Sequence, residues 1–256
     1  MSTIFLYGTS EIIVFLVFFA LMLGATEVGF RLGRKSELQT PDKTKSLVST
    51  VEAAMLGFLG LLLGFTMSMA VSRFEARKQL VLEEANAIGT SSLRAALLPA
   101  PEGPDIGNLL RQYINVRVQD GTMDEDPTQL DRSHTQSLRL QNEFWTRAVA
   151  YGQKDPNSVR VGLLLQSLNQ AIDLESARRM AIQNHVPESV IYANAVVGIL
   201  SIMLVGYAFG LSGRRHFAMY VLAVAITLVL AVIIDLDRPR SGLIRVSEQP
   251  MIDLQH

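Results

Sequence analysis

The stretch from Ala54 to Leu93 reads AMLGFLGLLLGFTMSMAVSRFEARKQLVLEEANAIGTSSL and changes from wholly apolar to strongly charged, with glycine as its only helix breaker. Counted back to Val51, its apolar part ends at Val71 and is long enough to cross a hydrocarbon layer of ~30 Å at ~1.5 Å rise per residue. The stretch therefore predicts one long helix that leaves a membrane and continues into water.

Two rows of residues repeat at four-residue spacing along the apolar part. Small residues, beside which a second helix can approach closely, make up the first row: Gly60, Gly64, Ser68 and Ser72. The second row runs beside it: Gly57, Leu61, Phe65 and Met69. If several copies of the helix pack side by side, one row can face a neighbouring helix and the other a shared axis.

The composition of the whole chain is typical of a membrane protein. Hydrophobic residues make up 49 % of the 256 residues and charged residues 18 %, and the mean hydropathy is +0.26. The apolar excess is concentrated in four segments, which we interpret as membrane spans: residues 11–32, 51–71, 189–211 and 217–236. We keep the first as a span because residues 1–10 lack the basic residues of a signal peptide.

Between the second and third spans lies a polar region with helical spacing and no strand pattern. Apolar residues at 3.6-residue intervals predict helices at about 105–119, 128–151 and 158–184, with Ser158 as an N-cap. The expected fold class is all-α: an integral membrane protein with four transmembrane helices and a helical extramembrane insert. The predicted parts are 1–78 (spans one and two), 79–187 (insert), 188–237 (spans three and four) and 238–256 (polar tail).

No catalytic or metal-binding pattern is present in the sequence. There is no cysteine, and His134, His185, His216 and His256 are too far apart for a ligand motif. The glycines of the second span lie inside a membrane segment, so they cannot form a phosphate loop. We therefore expect no enzyme activity, no cofactor and no metal. The net charge of −1 gives no reason to expect nucleic acid.

Charged residues near the span ends are candidates either for an ion path or for structural ion pairs. Glu27 and Arg31 are four residues apart on one helix face, which allows a pair. Asp235 and Asp237 end the fourth span, and we expect them to pair with arginines. Arg73, the first charge after the apolar part of the second span, belongs to the same group.

Weak helix formers are collected just outside the membrane, between Glu84 and Thr90. We call Glu84, Asn86 and Thr90 the polar collar. Two interpretations of the collar remain open, a tight contact between helices and a polar ring at the mouth of a pore.

These motifs resemble those of bestrophins. Leu63-Gly64-Phe65, followed after seven residues by Arg73-Phe74, is similar to the bestrophin pore-helix pattern. Over nearly its full length the chain more closely resembles the bacterial bestrophin-like membrane proteins, a domain family of unknown function. The hallmarks of that family are EANAIGT at 84–90 and DLDRPRSGLIRVSEQP at 235–250.

The resemblance implies a pentameric channel for small inorganic ions, with the second helix lining the axis. Carried onto this chain, the pore neck falls at Gly57, Leu61 and Phe65. Gly57 stands where bestrophins have a bulky neck residue. The acidic run that forms the calcium clasp of animal bestrophins is missing after the fourth span. The expected location is the bacterial inner membrane, which the chain crosses several times.

Two arguments about orientation oppose each other. The short loops are basic, with Arg34 and Lys35 in the first and Arg214 and Arg215 in the second, so the positive-inside rule places both loops in the cytoplasm and the insert outside. Bestrophins have the opposite arrangement. We favour the charge rule slightly.

Two hypotheses about function follow. The first is an oligomeric channel or pore around the second helix, in contact with the lipid bilayer and with other copies of the chain. The second is a non-conducting membrane protein whose insert binds a partner or senses a signal, with Gly64 and Ser68 buried between helices.

Overall fold

The computed structural model describes residues 10–122, 127–213, 217–239 and 242–255. Within these ranges the secondary structure is helical, without a strand. In chain order the helices are α1 (Glu11–Ser36), α2 (Asp42–Ala95), α3 (Glu102–Thr122), α4 (Pro127–Lys154), α5 (Val159–Gln183), α6 (Glu188–Leu211), α7 (Phe217–Asp237) and the short α8 (Gln249–Ile252). Short 3₁₀ turns lie at Glu37–Gln39 and Asp253–Gln255.

The fold class is the expected one. Four helices are long and apolar enough to cross a membrane, and α1, α2, α6 and α7 contain the four predicted spans. The three predicted insert helices are also confirmed, as α3, α4 and α5, although α3 begins three residues earlier than expected. Ser158 occupies the N-cap position of α5, but its side chain makes no capping hydrogen bond.

The connection between the first two spans is shorter than the sequence indicated. Residues 33–50 lie between the first two predicted spans, yet α1 continues to Ser36 and α2 begins at Asp42. Proline lacks a backbone N–H, and the start of a helix is the place where that loss costs least. Pro41, immediately before α2, therefore ends the loop at a position where the missing N–H costs little.

The chain divides into two compact units. The first, which we call the membrane unit, comprises the described residues up to Ser72 together with His185–Arg238. The second, which we call the insert unit, comprises Arg73–Asn184 with the described residues from Pro239 onward. Helix α2 contributes its first part to the membrane unit and its second part to the insert unit.

The core of the membrane unit forms where α1 packs against α6 and α7. Met22, Leu59 and Ile202 are fully or almost fully buried. Large apolar side chains on the outer faces of the same helices stay exposed, as expected where the surroundings are lipid rather than water.

The core of the insert unit is formed by apolar faces of α2, α3, α4 and α5. Tyr113 and Phe144 are completely buried at its centre and meet edge to face, with ring centroids 5.8 Å apart. The C-terminal segment joins this core, because Met251 is completely buried in it. Burying a methionine side chain stabilises a fold by about 1.5–3 kcal/mol, so the segment expected as a polar tail is held by packing.

Candidate functional site

The predicted neck row lies on an exposed face of α2. Leu61 and Phe65 are both more than half exposed within the chain, and Gly57 is exposed as well. A Cβ atom built on Gly57 would meet no other atom within 4 Å. None of the described residues of the membrane unit covers this row.

The predicted packing row belongs to the same exposed face. Gly60, Gly64, Ser68 and Ser72 are exposed, and a Cβ atom on Gly60 or Gly64 would also meet no atom within 4 Å. No helix of the described membrane unit packs closely against this row. Its role in packing against another helix stays a prediction.

The opposite face of α2 faces the core of the membrane unit. Leu59, Leu63 and Ala70 are buried there, and Thr66 accepts a hydrogen bond at its Oγ1 from Asn194 Nδ2 of α6, at 2.8 Å. A buried polar side chain needs such a partner. The hydrogen bond and the apolar contacts together fix which face of α2 turns outward.

The exposed face of α2 differs in composition from that of α1. On α1 the exposed residues are mainly large and apolar, including Ile12, Leu16, Leu21 and Val28. On α2, three glycines and two serines stand among Leu61 and Phe65. Large apolar side chains suit contact with lipid chains, whereas rows of small residues are typical of close contact between helices.

Small residues do form a close contact between α1 and α6, which we did not predict from the sequence. It consists of Gly29 and Gly33 on α1 and of Gly206 and Gly210 on α6. A Cβ atom on any of the four would collide with a backbone atom of the other helix. Each pair has the G-x-x-x-G spacing of close helix packing, so the signal was present in the sequence.

The candidate ion-path residues near the span ends lie in local pairs. Arg31 Nε donates to Glu27 Oε1 at 2.7 Å, so these two side chains form the i,i+4 pair that their spacing allows. Asp237 is fully buried at the end of α7, where its Oδ2 accepts from the Val186 backbone N–H at 2.8 Å and lies 3.6 Å from His185 Nδ1.

Two further candidates complete this group. Asp235 is buried on the last turn of α7, and pairing of Asp235 and Asp237 with arginines stays a prediction, as does a role of Glu27 in an ion path. In the insert unit, Arg73 Nη1 donates to Asn184 Oδ1 at 2.8 Å. Arg214 and Arg215, on which the charge rule for orientation relies, lie outside the described residues, as do His216 and His256.

The polar collar divides between two faces of α2. Glu84 is completely buried inside the insert unit, while Asn86 and Thr90 are exposed. Around Glu84, Ala85, Ala87 and Ile88 are buried in the core. This part of the collar is therefore a helix contact, and a pore-mouth role stays a prediction for Asn86 and Thr90.

Glu84 is the centre of a buried ion cluster. Its Oε1 accepts from Arg117 Nε at 2.6 Å, and its Oε2 accepts from Arg117 Nη2 at 3.2 Å and from Arg178 Nη1 at 3.0 Å. Arg117 also donates to Asp120 at 3.0 Å, and Arg178 donates to Glu248 of the C-terminal segment. One carboxylate thus connects α2, α3 and α5.

The charges of this cluster stabilise one another. Burial alone would lower the pKa of the Arg117 guanidinium, but the neighbouring charge of Glu84 and the hydrogen bond to it hold that pKa above its ordinary value. Arg117 therefore stays charged. A buried charge of this kind is stable only with its partner in place.

Metal ligands are not assembled among the described residues. No three His, Cys, Asp or Glu side chains in the described ranges come close enough together to hold a metal ion. His134 lies 3.5 Å from Glu175 in the insert unit, and His185 lies beside Asp237 in the membrane unit.

The fold and the faces described above define an all-helical membrane protein with four spans and a helical insert between the second and third. The family comparison is specific. The model of the bestrophin-like domain matches residues 16–251, and the chain belongs to the bestrophin-like family.

Solved structures show the same fold at low sequence identity. A bacterial bestrophin homologue from Klebsiella pneumoniae, solved by Zn-SAD phasing, is 16 % identical, with a TM-score of 0.65 over 95 % of each chain. A point variant of that homologue is 17 % identical and has a TM-score of 0.65, over 96 % of this chain and 99 % of the other. A comparison with curated proteins finds no match.

Proposed function

We propose that this chain forms an oligomeric membrane channel for small ions, with α2 of each copy facing a shared axis. The observation that carries the proposal is the exposed face of α2, where the neck row and the small-residue row lie side by side without a covering helix in the described membrane unit. A ring of identical chains would cover the small residues and leave the neck row at its centre.

The proposed number of copies rests on the resemblance to bestrophins. The bestrophin resemblance implies five copies in the bacterial inner membrane. In a cyclic ring of more than two copies, one surface of each copy meets a different surface of the next. The small-residue row on α2 offers one of these surfaces, since small residues let a neighbouring helix approach, while the larger side chains of the neck row project away from the contact towards the axis.

The chemistry of the neck favours gating by dewetting. Leu61 and Phe65 of all copies would each form a ring of apolar side chains around the axis. A narrow apolar constriction excludes water, and hence ions, until it widens. Gly57 has no side chain, so it leaves the axis wider at its own level. In this arrangement, the side chains of Phe65 and Leu61 limit the ion flux through the pore.

Ion flux from liposomes tests the proposal. The purified chain, reconstituted into liposomes loaded with KCl, should pass ions, and Phe65→Ala should raise the flux severalfold because the apolar constriction widens. The matched control is Leu16→Ala on α1. Leu16 is 54 % exposed, against 55 % for Leu61, so the same truncation can be compared on the two helices: Leu61→Ala should change the flux and Leu16→Ala should not.

Two results would contradict the proposal. A stable, pure oligomer without ion flux would favour the non-conducting alternative, in which the insert binds a partner or senses a signal. Equal effects of Leu61→Ala and Leu16→Ala would show that α2 does not line the path of the ions.

A further inference from the structure

A cavity of about 310 Å³ lies within the insert unit, between the C-terminal segment and the helices. This volume is at the lower end of the range of about 300–1,000 Å³ that is usual for small-molecule sites. It corresponds to roughly ten water molecules at ~30 Å³ each. The polar residues that line it are Arg77, Arg178, Arg245, Ser247, Glu248 and Gln249.

Three arginines and one glutamate make the lining positive. Arg178 and Arg77 are buried; Arg178 is hydrogen-bonded to Glu84 and Glu248. Arg245 is more accessible. Its Nε donates to the Gly242 carbonyl at 3.0 Å, and its two terminal nitrogens have no hydrogen-bond partner among the described residues. Guanidinium groups in this setting favour a carboxylate or another planar anion.

Glu248 adds a negatively charged hydrogen-bond acceptor to this lining. Its side chain is only 9 % exposed. One oxygen accepts from Arg178, while Oε2 is buried without a hydrogen-bond partner in the described parts of the chain. A buried acceptor without a hydrogen-bond partner is energetically unfavourable and calls for a donor. A ligand in this cavity would therefore gain by carrying an N–H group as well as an anion.

The backbone of Gly121, on α3, leaves room for the Glu248 side chain. A Cβ atom on Gly121 of α3 would collide with the Glu248 carboxylate. Gly121 also lines the cavity. The carboxylate thus keeps its position at the cavity wall because residue 121 has no side chain.

We propose that this cavity binds a small acidic amino acid, a molecule with carboxylates and one ammonium group. A carboxylate meets Arg245, beside the buried Arg77, and the ammonium donates to Glu248 Oε2. A ligand with net negative charge suits a lining of three guanidinium groups and one carboxylate. The test of this proposal does not depend on conduction.

The test compares two probes that differ in one group. L-aspartate and succinate carry the same two carboxylates, but only aspartate carries an ammonium. Titration calorimetry on the purified full chain in detergent should show aspartate binding at least about tenfold more tightly, because a hydrogen bond to a charged group contributes ~1.5 kcal/mol or more. This comparison needs no variant.

Variants then assign the binding to the cavity. Glu248→Gln should remove most of the preference for aspartate, and Arg245→Ala should weaken both probes. Glu83→Gln is the matched control, because Glu83 is exposed on α2 and its carboxylate is hydrogen-bonded only to Gln79 among the described residues; it should bind both probes as the wild type does. The fluorescence of Trp145 checks that each variant is folded.

Three outcomes would overturn the proposal. The wild type could bind neither probe at millimolar concentration, which would exclude an acidic amino acid as the ligand. It could bind both with equal affinity, which would leave no role for the ammonium. Or the folded Glu248→Gln variant could keep the full preference for aspartate, which would place the ammonium elsewhere.

Discussion

Replacing Glu84 by glutamine should strongly destabilise the insert unit. Glu84 is completely buried and accepts three hydrogen bonds from two arginines that are themselves buried. Glutamine has almost the same shape, so it creates no cavity, but it removes the negative charge that both guanidinium groups face. Its amide nitrogen is also a donor that points at other donors.

The size of the effect follows from the burial of the cluster. Removing one partner of a buried ion pair costs about 3–5 kcal/mol, because the remaining charge has lost its compensation. Asp120, Glu175 and Glu248 remain near the two arginines and offset part of this loss. We therefore expect a loss of about 3 kcal/mol, which lowers the melting temperature of a unit of this size by roughly 10 °C.

Thermal unfolding followed by tryptophan fluorescence measures this loss directly. Trp145 is the only tryptophan of the chain and packs against the core of the insert unit, so its signal reports on that unit. The neighbouring Glu83→Gln is the control and should stay within about 0.5 kcal/mol of the wild type. If both variants melted together within 2 °C, as roughly equal stabilities imply, Glu84 could not be the centre of a stabilising cluster.

Two further predictions concern single contacts. Burial, and after it the charge of Glu84, raises the pKa of the Tyr113 hydroxyl. As the pH rises, this hydroxyl therefore loses its proton in the unfolded chain before it does so in the folded protein. The free energy of unfolding of the wild type should fall above about pH 10, and that of Tyr113→Phe should fall less. At neutral pH the free energy of unfolding of Tyr113→Phe should be about 1 kcal/mol lower than that of the wild type, since Gln141 loses its hydrogen-bond acceptor. If urea titrations showed the same decrease in stability above about pH 10 for both proteins, the assignment of this decrease to Tyr113 would be contradicted. Gly206→Leu should abolish the folded protein because α1 leaves no room for a side chain, whereas Gly64→Leu should fold and lose the oligomer in size-exclusion chromatography; an intact Gly64→Leu oligomer would exclude Gly64 from the contact between copies.

The helices could be predicted from the sequence because their signals are local. Long apolar windows mark the four spans, and 3.6-residue stripes mark α3, α4 and α5. Proline and capping residues indicate where the breaks fall, as at Pro41 and Ser158. Each of these signals lies within one stretch of chain and requires no knowledge of what the stretch contacts.

The contacts between helices were harder to predict. Glu84 meets Arg117 and Arg178, which are 33 and 94 residues away along the chain, and no spacing rule joins residues so far apart. The G-x-x-x-G pairs at Gly29 and Gly206 were visible, but the sequence does not show which small residues meet inside one chain and which remain exposed. Which small residues are buried depends on how the helices pack, and in this fold the small residues of α2 remain exposed.

The C-terminal segment illustrates the same limit. Its polar residues suggested a tail, yet Met251 is buried in the insert core and Glu248 is hydrogen-bonded to Arg178. Val246 and Leu254 pack against the same core as Met251, but three apolar positions in so short a segment have no periodicity from which a core contact could be predicted. The cavity beside Glu248 was therefore invisible in the sequence.

Cysteine accessibility at position 61 tests the central claim most directly. The chain has no cysteine, so Leu61→Cys and Leu16→Cys each introduce a single thiol. If α2 lines the ion path, a small charged methanethiosulfonate reagent added to proteoliposomes should change the ion flux of Leu61→Cys and leave that of Leu16→Cys unaltered. A flux through Leu61→Cys that the reagent does not affect, with the thiol shown by mass spectrometry to have reacted, would contradict the account.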